Sequence, residues 1–197
     1  LEDIVDRFPD RPMALLDDGE VTYRDYEAHA NRVAHWALDQ GLKPGDTVAL
    51  FMTNRWEYIA TWFGLSKVGV VISLINNQLS GHSLAHCLKI GESKHVIVEG
   101  ELAAAYDSAR ACKLGDIRAW VFEGEMDGAE DFSAALARRS SERPDPLVRD
   151  SVKPEDPVLK MFTSGTTGLP KAALMTHIRA LYYLHVFAIV AKARETD

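Results

Sequence analysis

The residues best suited to chemistry cluster between Phe162 and Lys171. Thr163, Ser164, Thr166 and Thr167 carry hydroxyls, Gly165 and Gly168 interrupt them, and Lys171 closes the run. Glycine permits close approach of backbone to a ligand, and successive exposed N–H groups form a concave anion site. Hydroxyls add donors that rotate toward oxygen acceptors. A lysine ammonium supplies a mobile point charge for phosphate. Together these properties describe a polyphosphate cradle, with Thr163, Ser164, Gly165, Thr166, Thr167, Gly168 and Lys171 as its candidate residues. An ordinary surface turn has the same composition. The run is not a Walker A loop, because only two residues separate Gly165 from Gly168 and no Gly-Lys-Ser/Thr follows. Pro170 has no N–H to donate and biases Leu169 toward extended backbone.

The flanks predict how the run is held. Residues 158–162 and 172–175 are apolar enough to be strands, which gives strand, loop, strand. Upstream, residues 13–16 and 21–23 flank Asp17, Asp18, Gly19 and Glu20, a hairpin pattern. A helix should follow, with Tyr26, Ala30, Val33 and Ala37 on one face, Thr22 and Asp25 as its capping pair, and Gly41 and Pro44 at its end. Strands are then predicted at 47–52, 70–75, 95–98 and 117–122, alternating with helices at 55–68, 80–90 and 101–112. That alternation predicts right-handed βαβ units and an α/β fold with a parallel sheet flanked by helices. Residues 139–157 hold four of the eight prolines (Pro144, Pro146, Pro154 and Pro157) and read as an extended connection to the candidate hairpin at 158–177. Residues 177–194 read as a helix apolar nearly all round. It is broken by Arg179, His185 and Lys192, so it suits burial in a larger protein better than the roughly 20-residue apolar span a membrane needs.

Composition narrows the classes. Of 197 residues, 47% are hydrophobic and 26% charged, which is ordinary for a globular protein. A net charge of −7 argues against a nucleic-acid partner, which requires a basic footprint. Cys87 and Cys112 form neither a disulfide framework nor a CxxC motif and read as reduced structural thiols of a cytosolic protein. The chain opens at Leu1, which suggests a piece of something longer. His82, His86, Cys87 and His95 invite a metal reading, but Ser83 stands where His-Glu-x-x-His needs its glutamate, so none is assigned to a metal. Trp56, Trp62 and Phe63 read as core rather than pocket. Asp17 with Asp18, and Glu123 with Glu125, read as solvated turns. His177 is compatible with ligand contact or with simply starting a helix.

The 163–171 run resembles the phosphate-binding signature of the adenylate-forming superfamily, which includes acyl-CoA synthetases, peptide-synthetase adenylation domains and luciferases. The usual signature ends Pro-Lys-Gly; here Ala172 and Ala173 follow the lysine, which is similar to the fatty-acid transport protein and very-long-chain acyl-CoA synthetase branch. Residues 19–24, 45–50, 74–79 and 84–88 resemble the same family, the last two its transport branch. The resemblance covers essentially the whole chain and implies the first part of a large N-terminal AMP-binding domain. It further implies a fatty acyl-CoA ligase that uses ATP, Mg²⁺ and CoA, with a fatty acid as substrate. Other carboxylates (aryl or amino acids) and non-enzymatic fatty-acid binding or uptake are the alternatives. The family's later motifs and its C-terminal lysine are absent from this sequence, so the resemblance assigns no catalytic residue and no metal ligand here. It also implies that the remainder of the enzyme packs on residues 177–194, and a cytoplasmic location with peripheral membrane contact.

Overall fold

A computed structural model of the chain describes residues 2–17, 19–163 and 169–192. Short helix α1 (Glu2–Arg7) leads into an antiparallel pair, β1 (Pro12–Leu16) and β2 (Gly19–Thr22). Helix α2 (Tyr23–Asp39) starts where the pattern predicts, and the Thr22 side chain accepts from the Asp25 N–H while Asp25 answers the Thr22 backbone. This reciprocal capping satisfies two of the helix's free N–H groups.

The main sheet is built from β3 (Thr47–Phe51), β4 (Val71–Leu74), β5 (Ser93–Glu99), β6 (Arg118–Phe122), β7 (Glu130–Asp131), β8 (Pro157–Thr163) and β9 (Lys171–Thr176). Its spatial order is β7-β6-β5-β3-β4-β8-β9, parallel throughout except for the antiparallel β8–β9 pair. Helices α3 (Trp56–Lys67), α4 (Gly81–Ile90), α5 (Ala103–Arg110) and α6 (Phe132–Ala137) cover it, α7 (Pro146–Arg149) lies in the proline-rich connection, and α8 (His177–Val190) follows β9. This is the predicted α/β architecture.

The two-residue period of the strands divides the core. Val48, Leu50 and Ile97 face α2, α3 and α6, whereas Ala49, Phe51, Val96 and Val98 face α4 and α5. Both faces are covered, which is why these strands read as continuous apolar runs. On the first face Trp36 stands edge-on to Trp120 at 5.1 Å and to Phe132 at 5.0 Å. The buried Trp120 indole donates to His95 Nδ1 at 2.9 Å, so His95 is a core histidine.

Helices α2 and α3 cross where Gly64 removes a side chain. A Cβ there would lie 2.3 Å from the Ala30 carbonyl oxygen and 2.6 Å from Val33 Cβ. Neither backbone can yield without unseating its helix, so Gly64→Ala should cost about 2–3 kcal/mol of stability. A urea midpoint equal to the parent's would contradict this packing.

The 139–157 connection differs from the extended strap predicted. Asp145 caps α7, with Pro146 in its first turn. The Asn31 amide donates to the Ser141 carbonyl at 2.8 Å, and Arg143 bridges Asp6 at 2.6 Å and Glu27 at 3.0 Å. Lys67, nearly buried, joins Glu2 at 2.8 Å and Asn31 at 2.7 Å, and Arg149 also reaches Glu2. The connection is therefore fastened to α1 and α2, and Lys67 of α3 braces its partners Glu2 and Asn31.

Buried histidines make the fold acid-sensitive. His29, held 5.2 Å from the Trp56 ring, is pushed down to about 4 by burial, a shift the Glu57 charge only partly opposes. His95 is lowered as well, chiefly by burial and then by Arg118. The unfolded chain thus binds protons that the folded chain refuses between about pH 6.5 and pH 4, so stability falls as pH drops through that window. On the order of 1–2 kcal/mol should be lost through His29, which is only partly shielded from water. His29→Gln should flatten the decline in urea midpoint between pH 6.5 and 4.5; an unchanged slope would exclude His29 as its source.

Candidate functional site

Thr163 and Lys171, the ends of the candidate run, lie where β8 finishes and β9 begins, at the carboxyl end of the parallel sheet, where open α/β folds bind their ligands. β8 runs parallel to β4 with Leu74 opposite Met161, then turns back as β9. Thr163 and Lys171 are cross-strand partners, which places their Cβ atoms about 5 Å apart on one face of the ladder. Both are exposed, and Lys171 makes no ion pair or hydrogen bond with any described residue. An exposed lysine is thus set beside a hydroxyl residue where β8 and β9 meet the undescribed segment. Ser164, Gly165, Thr166, Thr167 and Gly168 lie outside the described residues.

Two side chains hold the hairpin from behind. On β8, Lys160 reaches the Gly91 carbonyl at 2.8 Å, at the end of α4, and Glu92 at 3.3 Å. On α4, His86 Nε2 lies 3.0 Å from the Pro170 carbonyl oxygen. His86 was considered only as a metal ligand in the sequence; its true partner is 84 residues away and becomes visible only when α4 is set against β9. Of the other histidines in that group, His95 is committed to Trp120. Among the described residues no three His, Cys, Asp or Glu side chains form a metal-binding group.

The other half of the sheet's carboxyl edge is occupied by charges that satisfy each other. Arg55 bonds Glu57 at 2.7 Å, Glu99 at 3.0 Å and Glu123 at 2.8 Å, and lies over the Phe122 ring at 4.8 Å. Its pKa is raised, above all by the Glu57 hydrogen bond. Burial works against ionisation of Glu99, yet the Thr53 N–H and hydroxyl and Arg55 hold it below its usual range. Glu123, expected to be a solvated turn residue, is thus half of an ion pair. This cluster fixes strand ends and, with three carboxylates around one guanidinium, keeps an excess of negative charge that does not suit a phosphate.

Helix α8 borders an apolar cavity of about 710 Å³ against the sheet, lined by Trp62, Met161, Met175, Tyr183 and Phe187 among others. Trp62 therefore contributes to a pocket wall, whereas Phe63 packs in the core against Tyr26 at 5.9 Å, as expected of it. Helix α8 is nevertheless largely bare, with Leu181, Phe187 and Val190 64%, 72% and 76% exposed. His177 opens α8, with its N–H on the Asp156 carbonyl at 3.1 Å. No helix among the described residues is long and apolar enough to cross a membrane.

Comparison with known proteins agrees with this geometry. The family model for AMP-binding enzymes matches residues 1–197. Mouse long-chain fatty acid transport protein 6 is 34% identical over 174 residues, covering 87% of this chain and 28% of that protein. The medium/long-chain-fatty-acid–CoA ligase FadD6 of Mycobacterium tuberculosis is 31% identical over 186 residues, covering 94% and 30%. Among solved structures, the inhibitor-bound N-terminal domain of FACL13 from Mycobacterium tuberculosis superposes with a TM-score of 0.76 at 30% identity, covering 89% of this chain and 43% of that one. The chain thus spans under a third of the length of these two curated relatives. With the whole chain matched by one family model and a mostly parallel α/β sheet ending in the antiparallel β8–β9 pair, the chain belongs to the AMP-binding enzymes, the adenylate-forming superfamily.

Proposed function

We propose that the full-length protein carrying this chain is an AMP-forming fatty acyl-CoA ligase, and that residues 163–171 position the triphosphate of ATP. The observation that carries this reading is the exposed Lys171 opposite Thr163 at the carboxyl end of the parallel sheet, without an ion-pair partner among the described residues. A fatty-acid carboxylate oxygen attacks the α-phosphorus, the α–β anhydride bond breaks, and acyl-AMP and pyrophosphate form. The CoA thiol then attacks the acyl carbon, releasing AMP and a proton. Thr163, Ser164, Thr166, Thr167, the backbone at Gly165 and Gly168, and Lys171 stabilise the negative charge that grows on the departing pyrophosphate. Mg²⁺ belongs to the same reading as a neutralising charge on the phosphates, although the described residues offer it no cluster of ligands.

The apolar wall of Trp62, Met161, Met175 and Phe187 supports an acyl chain over an amino acid as the group to be activated. The rest of the enzyme would cover α8, and a cytoplasmic location with peripheral membrane contact fits the same assignment. A panel of fatty acids of increasing length, set beside benzoate and amino acids and assayed for thioester formation with CoA, tests it. Turnover confined to fatty acids is expected. Turnover with aryl acids alone would reassign the substrate class, and fatty-acid binding with no thioester formed would leave a carrier.

A further inference from the structure

We propose that His86 is a positioning residue, which pins the backbone at Pro170 and so fixes where Lys171 meets the phosphates; this rests on the phosphate reading above. Helix α4 is anchored by Leu84, Ala85, Cys87 and Leu88, all essentially buried on one face of the sheet. His86, between them in sequence, looks toward the hairpin, with Nε2 3.0 Å from the Pro170 carbonyl oxygen. A carbonyl oxygen only accepts, so Nε2 must carry the proton, whether or not Nδ1 carries another. Pro170 itself has no N–H, and β9 first pairs with β8 at Lys171. The imidazole therefore restrains the one residue between the turn and the ladder that cannot donate for itself.

The same helix also holds the other strand. Lys160, 12% exposed, donates to the Gly91 carbonyl at 2.8 Å where α4 ends. α4 thus ties β8 at Lys160 and the residue that leads into β9, Pro170. Catalysis by positioned donors depends on geometry set before the reaction starts. Freeing Pro170 would allow the Lys171 ammonium to move relative to the β- and γ-phosphates while leaving every proposed phosphate-binding group in place.

The test uses the full-length protein and steady-state kinetics with ATP, a fatty acid and CoA. His86→Leu should raise the KM for ATP about tenfold and leave those for fatty acid and CoA within twofold. His86→Gln, whose amide N–H can reach the same oxygen, should recover most of the loss. An unchanged KM for ATP in His86→Leu, with Thr166→Val/Thr167→Val impaired, would overturn the role of His86 and spare the phosphate reading. If the double variant were also unimpaired, both would fall. A lower melting temperature with all three KM values raised together, unrescued by glutamine, would mark a merely structural contact and overturn the proposal as well.

Discussion

Residues 1–197 expressed alone are expected to form no detectable acyl-AMP and to bind an apolar-surface dye strongly. Two observations lead there. The curated relatives are more than three times as long, since the chain covers 28% to 30% of them, and the proposed contacts of this segment reach only the phosphates and one wall of the acyl site. Phosphoryl chemistry of this kind runs on positioning and charge stabilisation, so an enzyme reduced to its triphosphate cradle keeps little of its rate. The second observation is α8 itself. Leu181, Tyr182, Phe187, Ile189 and Val190 are each more than 60% exposed, forming the kind of contiguous apolar patch that monomeric proteins rarely leave in water. The isolated segment should self-associate, and Phe187→Glu with Leu181→Glu should reduce both dye binding and association. Sedimentation and pyrophosphate exchange on the purified segment check this; robust exchange from a monomer that binds no dye would refute it.

The second large effect is expected from Thr166→Val with Thr167→Val in the full-length protein. Valine preserves β-branching and approximate shape while removing both hydroxyl donors. A hydrogen bond to a charged phosphate contributes about 1.5–3 kcal/mol, so each lost donor should lower ATP-dependent turnover roughly ten- to hundredfold. The backbone N–H groups and Lys171 remain, which distinguishes the double variant from deletion of the loop. Adenylation at the parental rate would mean that these side chains do not touch the phosphates.

Much of this architecture could be read from periodicity and punctuation. The Thr22–Asp25 capping box, the glycines after the main helices and the apolar runs of β3 to β6 each act locally, so each leaves a local signal. Helix α6 was missed although Asp131 accepts from the Ala134 N–H as an N-cap and Phe132, Ala135 and Leu136 face the core; its six residues are too few for periodicity to stand out. The fastened state of 139–157 was illegible for a different reason. Asn31, Lys67 and Arg143 meet their partners only after α1, α2 and α3 are assembled. Prolines there indicated an irregular path but not what would grip it. At the site, the phosphate reading of the hydroxyl–glycine–lysine run comes from its residue types alone, and Ser164 to Gly168 lie outside the described residues. The His86–Pro170 bond was not legible, because it joins residues 84 apart.

The most direct test of the central claim is exchange of labelled pyrophosphate into ATP by the full-length protein, with and without a long-chain fatty acid. Exchange requires that acyl-AMP form reversibly with the phosphates held, and it needs no CoA. The account predicts exchange that depends on the fatty acid and drops at least tenfold with Thr166→Val/Thr167→Val. Fatty-acid binding without exchange, or exchange indifferent to the loop substitutions, would contradict it.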